Sequence, residues 1–134
     1  MNVKKLAAEL TVEIEKAYVN SPTMEEAEKL AAKFLAAQMH IANELAVMDL
    51  DARMKKAGMK RVRAAVYAET VSSSDKKPTE AMITSIIDTD ELVERAQTDF
   101  DTAEVEVELL RSYYSIFREG HIYFRGIAKG SFGG

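Results

Sequence analysis

The sequence predicts an all-α fold: a long antiparallel helical hairpin with a shorter N-terminal helix, coiled-coil-like and oligomeric. Residues that favour helices (Ala, Glu, Lys, Leu and Met) dominate the 134 positions. The six glycines and two prolines leave few turn signals. Apolar residues recur every three or four positions along two long stretches, as on one face of a helix. A chain of this length is expected to form a single domain, residues 1–134.

The first helix is expected over residues 3–19, because an apolar residue returns every three or four positions there. These residues are Leu6, Leu10, Ile14 and Ala17. The segment NSPT ends this helix and begins the next. Either Ser21 caps the new helix with Pro22 at its first position, or Thr23 and Glu26 form a capping box.

The second helix is predicted to be very long, about residues 23–69, on the order of 70 Å at 1.5 Å per residue. A helix of this length cannot close a compact globule of 134 residues, so we expect an elongated hairpin or an oligomer. Gly58 is a candidate position for a bend, at a cost of about 1 kcal/mol relative to Ala. The apolar stripe comprises Phe34, Ile41, Leu45, Met48, Ala52, Met59, Val62 and Val66.

A serine-rich loop ends the long helix, and PTEAMITSII (78–87) predicts a short one. A last long helix then begins at a capping box of Asp88 and Glu91. We expect Gly120 either to end this helix or to weaken it, and residues 129–134 to form a mobile tail. The predicted seam is of coiled-coil type: Leu92, Ala96, Phe100, Ala103, Val107, Leu110, Tyr114 and Phe117.

Charge is distributed unevenly along this acidic chain, whose net charge is −4. Residues 53–63, called the basic block below, carry six cations and no acid: Arg53, Lys55, Lys56, Lys60, Arg61 and Arg63. Residues 88–108 carry nine acids opposed only by Arg95. These acids are Asp88, Asp90, Glu91, Glu94, Asp99, Asp101, Glu104, Glu106 and Glu108.

The basic block has two interpretations. On a helix Arg53, Lys56, Lys60 and Arg63 share one face, where like charges repel by a few tenths of a kcal/mol per pair. Phosphates of a nucleic acid would neutralise them and release counterions. Alternatively, the antiparallel hairpin brings the acids of 88–108 alongside, and the two segments neutralise each other. Both interpretations can hold if only part of the block is paired.

The C-terminal segment carries a second, weaker basic patch interleaved with aromatic residues, formed by Arg111, Arg118, Arg125 and Lys129. Cations and rings together suit single-stranded nucleic acid, whose phosphates meet the charges while its bases stack. The other interpretation is that the apolar side chains form core seam and an oligomer interface. The predicted interface residues are Leu110, Tyr114, Phe117, Tyr123 and Phe124.

Nothing in the sequence predicts catalysis, a metal site or a cofactor, and we expect a non-enzyme. There is no cysteine, and the two histidines, His40 and His121, are isolated. His40 is expected to be a packed or surface side chain of the long helix. Glu-x-x-His pairs, a Walker lysine motif and GxGxxG are absent. No apolar run reaches the ~18 residues of a membrane span, and the N-terminus is unlike a secretory signal, so a cytoplasmic protein is expected.

Two segments, LDARMKKAGMKRVRAAVYAET (50–70) and FREGHIYFRGIAKGSF (117–132), resemble the UvsY-type recombination mediators of tailed bacteriophages. The resemblance implies a small helical protein that assembles into a ring and binds single-stranded DNA. It also implies that the protein helps to load a recombinase onto strands covered by single-strand-binding protein. By position, the DNA-binding residues would be Lys55, Lys56, Lys60, Arg61 and Arg63, and the C-terminal helix would serve assembly.

The expected function is therefore a homo-oligomeric, single-stranded DNA-binding mediator in phage recombination and repair, located in the host cytoplasm if the protein is phage-encoded. The alternative is a helical structural or adaptor protein, such as a phage morphogenesis component or coiled-coil assembly factor. That alternative has no nucleic-acid role, and in it the basic block pairs with the acids of residues 88–108.

Overall fold

The structure, a computed structural model, describes residues 3–130, and within that range every regular element is a helix. The predicted all-α class is thus confirmed, and α2 packs extensively against α4 as in a helical hairpin. Oligomerisation stays a prediction. The four helices are α1 (Val3–Val19), α2 (Met24–Ser72), α3 (Glu80–Thr89) and α4 (Glu91–Ala128).

The chain divides into two compact units, and α2 and α4 contribute to both. Unit 1 comprises Met1–Ala46 and Leu109–Gly134, and unit 2 comprises Val47–Glu108. Unit 1 therefore contains α1, the first half of α2 and the second half of α4, while unit 2 contains α3 with the remaining halves. No helix within residues 3–130 is long and apolar enough to cross a membrane.

The long helix α2 begins at Met24 and is capped by Thr23, in one of the two ways predicted from the sequence. The Thr23 hydroxyl oxygen accepts a hydrogen bond from the backbone N–H of Glu26 at 3.1 Å. The same hydroxyl donates to the Glu26 carboxylate at 3.0 Å, so the two side chains fix the first turn together. The helix then runs through Gly58 to Ser72 without interruption.

The predicted cap of α4 at Asp88 is wrong, because α3 continues to Thr89 and includes Asp88 in its last turn. The cap is Asp90, whose backbone is extended as an N-cap requires. Its carboxylate accepts hydrogen bonds from the N–H groups of Leu92 and Val93 at 2.9 and 3.1 Å.

Packed aromatic rings form the centre of the core of unit 1. The Phe34 ring of α2 lies 5.4 Å from the Phe124 ring and 6.0 Å from the Phe117 ring, measured between centroids. All three rings are buried, and α1 adds its own buried residues, among them Leu10. Gly120 of α4 lies directly over the Phe34 ring. Helix α4 continues through this glycine to Ala128 rather than ending at it.

A smaller aliphatic cluster holds unit 2 together: Val66 of α2, Ile83 and Ile87 of α3, and Val93 of α4. The predicted seam began at Leu92, and this assignment is wrong, since Leu92 is 60% exposed and Val93 only 2% exposed. Because α4 starts at Glu91 and packs against α3, the seam begins one residue later. From there it runs through Ala96, Phe100, Ala103 and Val107, all buried or half-buried.

The chain turns directly after α4. The backbone N–H of Gly130 donates to the carbonyl of Ile127 at 2.9 Å. Its φ of 73° lies in the left-handed region, where glycine carries no Cβ penalty. The predicted mobile tail, residues 129–134, falls mostly outside the described residues, because only Lys129 and Gly130 are among them.

Candidate nucleic-acid interface

The basic block forms three turns of α2 within unit 2. The apolar residues Ala52, Met59 and Val62 on the same turns are buried or half-buried, which fixes the rotation of the helix about its axis. The sequence predicted that Arg53, Lys56, Lys60 and Arg63 share a face beside this apolar side. Five of the six cations are exposed, and Arg63 is half-buried.

Two cations of the block pair with acids one turn earlier in the same helix. Arg53 lies 2.9 Å from Asp49, and Lys55 lies 3.0 Å from Asp51. An acid four residues before a base is the favourable orientation on a helix, worth about 0.3–0.5 kcal/mol for an exposed pair. The sequence interpretation did not consider these partners, although the spacing i, i+4 is a signal that would have found them.

A third cation pairs across elements. The Arg63 guanidinium lies 3.4 Å from the Asp88 carboxylate at the end of α3, and both side chains stay partly exposed. Within residues 3–130 this is the one ion pair that joins the basic block to the acids of residues 88–108. Of those acids, Asp90 is used as the α4 cap and Asp101 accepts from Gln97. The acidic segment therefore does not cover the block.

Three cations remain, which we call the open cations: Lys56, Lys60 and Arg61. They are exposed, and none of them has an ion-pair partner among the described residues. Lys56 and Lys60 are neighbours on one face at i, i+4, a spacing at which like charges repel. Their arrangement does not stabilise the helix, and it leaves their ammonium groups free to bind an anion.

The second basic patch lies in unit 1, on the solvent side of α4. Because the helix is continuous through Gly120, Arg111, Arg118 and Arg125 share a face, and Lys129 follows in the turn after the helix. All four are exposed, and Arg111 has interaction partners within the chain.

The predicted oligomer-interface residues differ in how much surface they offer. Leu110, Phe117 and Phe124 are buried within the chain itself. Tyr114 is half-buried. Tyr123 is exposed, and its ring packs edge-on against Phe124 at 5.1 Å. Assembly through this face stays a prediction, with Tyr123 as the member that is most accessible to another chain.

The two histidines occupy structural positions in unit 1. His121 Nδ1 lies 3.0 Å from the carbonyl oxygen of Ala31 and so ties α4 to α2. His40 borders a cavity of about 450 Å³ between α1 and α2, beside Leu6 and Leu10. Its Nε2 is buried without a hydrogen-bond partner. No group of three or more acids or histidines within residues 3–130 is placed to hold a metal ion.

No family model matches this chain, and neither the curated proteins nor the solved structures compared with it give a significant match. We therefore infer the function from the residues themselves, above all from the open cations.

Proposed function

We propose that the protein binds single-stranded DNA through the basic block of α2. The observation that carries this proposal is the exposure of Lys56, Lys60 and Arg61 without acidic partners, in a chain whose net charge is −4. An acidic protein gains nothing in stability from leaving these three cations unpaired. Binding of a polyanion to these cations is favourable, because each neutralised phosphate releases condensed counterions.

The paired cations of the block add to the same surface. Exposed ion pairs such as Asp49–Arg53 and Asp51–Lys55 contribute at most about 1 kcal/mol. A phosphate can therefore compete for Arg53 and Lys55 at little cost, and Arg63 is held by an equally exposed pair. The bound form would then use all six cations, with Lys56, Lys60 and Arg61 making the first contacts.

The biological role we propose is that of a recombination mediator that helps to load a recombinase onto DNA covered by single-strand-binding protein. Its support is the resemblance of residues 50–70 and 117–132 to UvsY-type mediators. The same resemblance supports a homo-oligomer, a phage origin and action in the host cytoplasm without catalysis. The weaker patch of Arg111, Arg118, Arg125 and Lys129 would contact DNA second.

A fluorescence titration with labelled single- and double-stranded DNA, each at two salt concentrations, tests the binding proposal. We expect tighter binding to the single strand. For that strand, six phosphate contacts predict a weakening of several hundredfold between about 50 and 200 mM salt. Binding that is equally tight at both concentrations would rule out phosphate recognition, and a preference for the duplex would rule out the single-stranded assignment.

The second candidate is a helical structural or adaptor protein. It is favoured by the three cations that already have acidic partners, Arg53, Lys55 and Arg63. The same titration separates the two candidates, because an adaptor with no nucleic-acid role would bind neither DNA at the lower salt concentration.

A further inference from the structure

Helix α2 carries a second apolar stripe in unit 2, on the side facing away from the unit's core. Its residues recur at spacings of 3, 4, 3, 4, 3 and 4, which is the a/d pattern of a coiled coil over three heptads. All seven side chains are exposed in the single chain. This outer stripe comprises Val47, Leu50, Met54, Ala57, Arg61, Ala64 and Ala68.

The exposure of the larger members is high for apolar side chains. Val47, Leu50 and Met54 are 63%, 60% and 64% exposed. Scattered exposed apolar residues are normal, but a contiguous row at coiled-coil spacing marks an interaction surface. The core side of the same helix segment is already occupied, since Ala52 and Val66 are buried there. The outer stripe therefore takes no part in the core packing of unit 2.

We propose that a second copy of this chain packs on the outer stripe, with the two α2 helices antiparallel. Large side chains (Val47, Leu50 and Met54) fill the first half of the stripe, and alanines dominate the second half. Antiparallel pairing therefore sets large against small in successive layers. Val47 meets the other copy's Ala64, Leu50 meets its Arg61, and Met54 meets its Ala57. Parallel pairing would instead set large against large and leave gaps between alanines.

Charge also favours antiparallel pairing of α2 with a second copy of the chain. Arg61 is the one charged residue within the outer stripe. In the antiparallel layers it lies against the other copy's Leu50, near Asp51 at the edge of the seam, whose carboxylate also pairs with Lys55 of its own helix. Parallel pairing would place Arg61 against Arg61 in a partly desolvated seam, where like charges are costly. The stripe is complementary to itself in both size and charge, as an isologous two-fold contact requires.

The arrangement also bears on the basic block. A two-fold axis perpendicular to two antiparallel helices keeps each flank on the same side of the pair. Arg53 and Lys60 lie on one flank of the outer stripe, so the two copies present these cations on one shared surface. Arg61 itself lies in the seam, so a paired chain would contact phosphates through five cations of the basic block and an unpaired chain through six. The packing does not depend on nucleic acid and is tested without it.

The test measures the mass of the full chain by light scattering over a wide range of concentration, without DNA. The parent should reach at least twice the monomer mass. Leu50→Glu/Met54→Glu should lose that dimer while keeping its helical circular dichroism, because Glu favours helix at exposed positions. The control, Leu92→Glu/Val105→Glu, changes two side chains of equal exposure on α4 and should keep the parent mass.

Disulfide trapping tests direction and register, using the absence of native cysteines. Val47→Cys/Ala64→Cys should oxidise to a covalent dimer, while each single variant should not. The two positions are about 25 Å apart within one helix, too far for an intrachain bond. A monomeric parent, or an undiminished mass for Leu50→Glu/Met54→Glu, would overturn the proposal. Cross-linking by Val47→Cys alone, or none by the double variant, would overturn the antiparallel arrangement.

Discussion

Gly120 shows how a single residue sets the distance between α4 and α2 in unit 1. A Cβ at this position would lie 2.6 Å from Cδ1 and Cε1 of Phe34, closer than real side chains approach. The Phe34 ring cannot easily move away, because Phe117 and Phe124 pack against it. Gly58 in α2 is the opposite case: there a Cβ would meet only the Arg61 guanidinium, at 3.9 Å.

We predict that the same added methyl group has opposite effects at the two glycines. Gly58→Ala should raise the free energy of unfolding by about 0.5–1 kcal/mol through helix propensity. Gly120→Ala should lower it by about 1–3 kcal/mol, because overpacking outweighs the same propensity gain. Urea unfolding of the two variants beside the parent measures both changes. A stabilised Gly120→Ala protein would contradict the close packing of the Phe34 ring.

For single residues, the sequence predicted which side chains are exposed more reliably than it predicted which side chains they contact. It correctly predicted that Arg53, Lys56 and Lys60 share an exposed face of a helix. The only acidic partners that it considered for them were the acids of residues 88–108, whereas Arg53 pairs one turn away with Asp49. A side-chain contact depends on the rotation and spacing of two helices to within a few ångströms. Periodicity fixes neither quantity between helices.

Among the elements, α3 is the helix that depends most on tertiary packing. It has ten residues, fewer than an isolated helix needs to be stable in water. Thr79 caps its first turn, accepting from the N–H of Met82 at 3.2 Å. Ile83 and Ile87 then bury their side chains against Val66 and Val93. The helix is held in unit 2 chiefly by these two isoleucines.

Ile83→Ala should therefore destabilise the protein by about 2–5 kcal/mol, the cost of a cavity at a buried aliphatic position. The matched control is Ile86→Ala, because Ile86 lies in the same helix but is 44% exposed. Its effect should stay within about 1 kcal/mol. Urea denaturation followed by circular dichroism gives both values. Equal losses for the two variants would mean that α3 does not pack as described.

The sequence predicted the existence of all four helices, because apolar periodicity and capping residues are local signals. It missed the end of α3 and the cap of α4 by two residues, with Asp88 in place of Asp90. It also began the α4 seam at Leu92 instead of Val93. Adjacent apolar residues differ by only 100° around a helix, and the position of α3 decides which one is buried.

At the scale of the whole molecule, the separation of charge is the feature on which the proposed function depends. The basic block lies in an acidic chain, and the described acids neutralise only half of it. The sequence left open whether residues 88–108 cover the block. Among the described residues, those acids form a single ion pair with the block, Asp88 with Arg63. The open cations therefore stay accessible to solvent.

The most direct test of the proposed DNA site compares the salt dependence of single-stranded DNA binding for three proteins. The parent should show a log–log slope of about −4 for six phosphate contacts, and Lys56→Ala/Lys60→Ala/Arg61→Ala a slope of about −2. The control Lys33→Ala/Lys76→Ala/Lys77→Ala removes the same charge from exposed positions elsewhere and should keep the parent slope. Equal slopes for the parent and the variant lacking the open cations would contradict the proposed site.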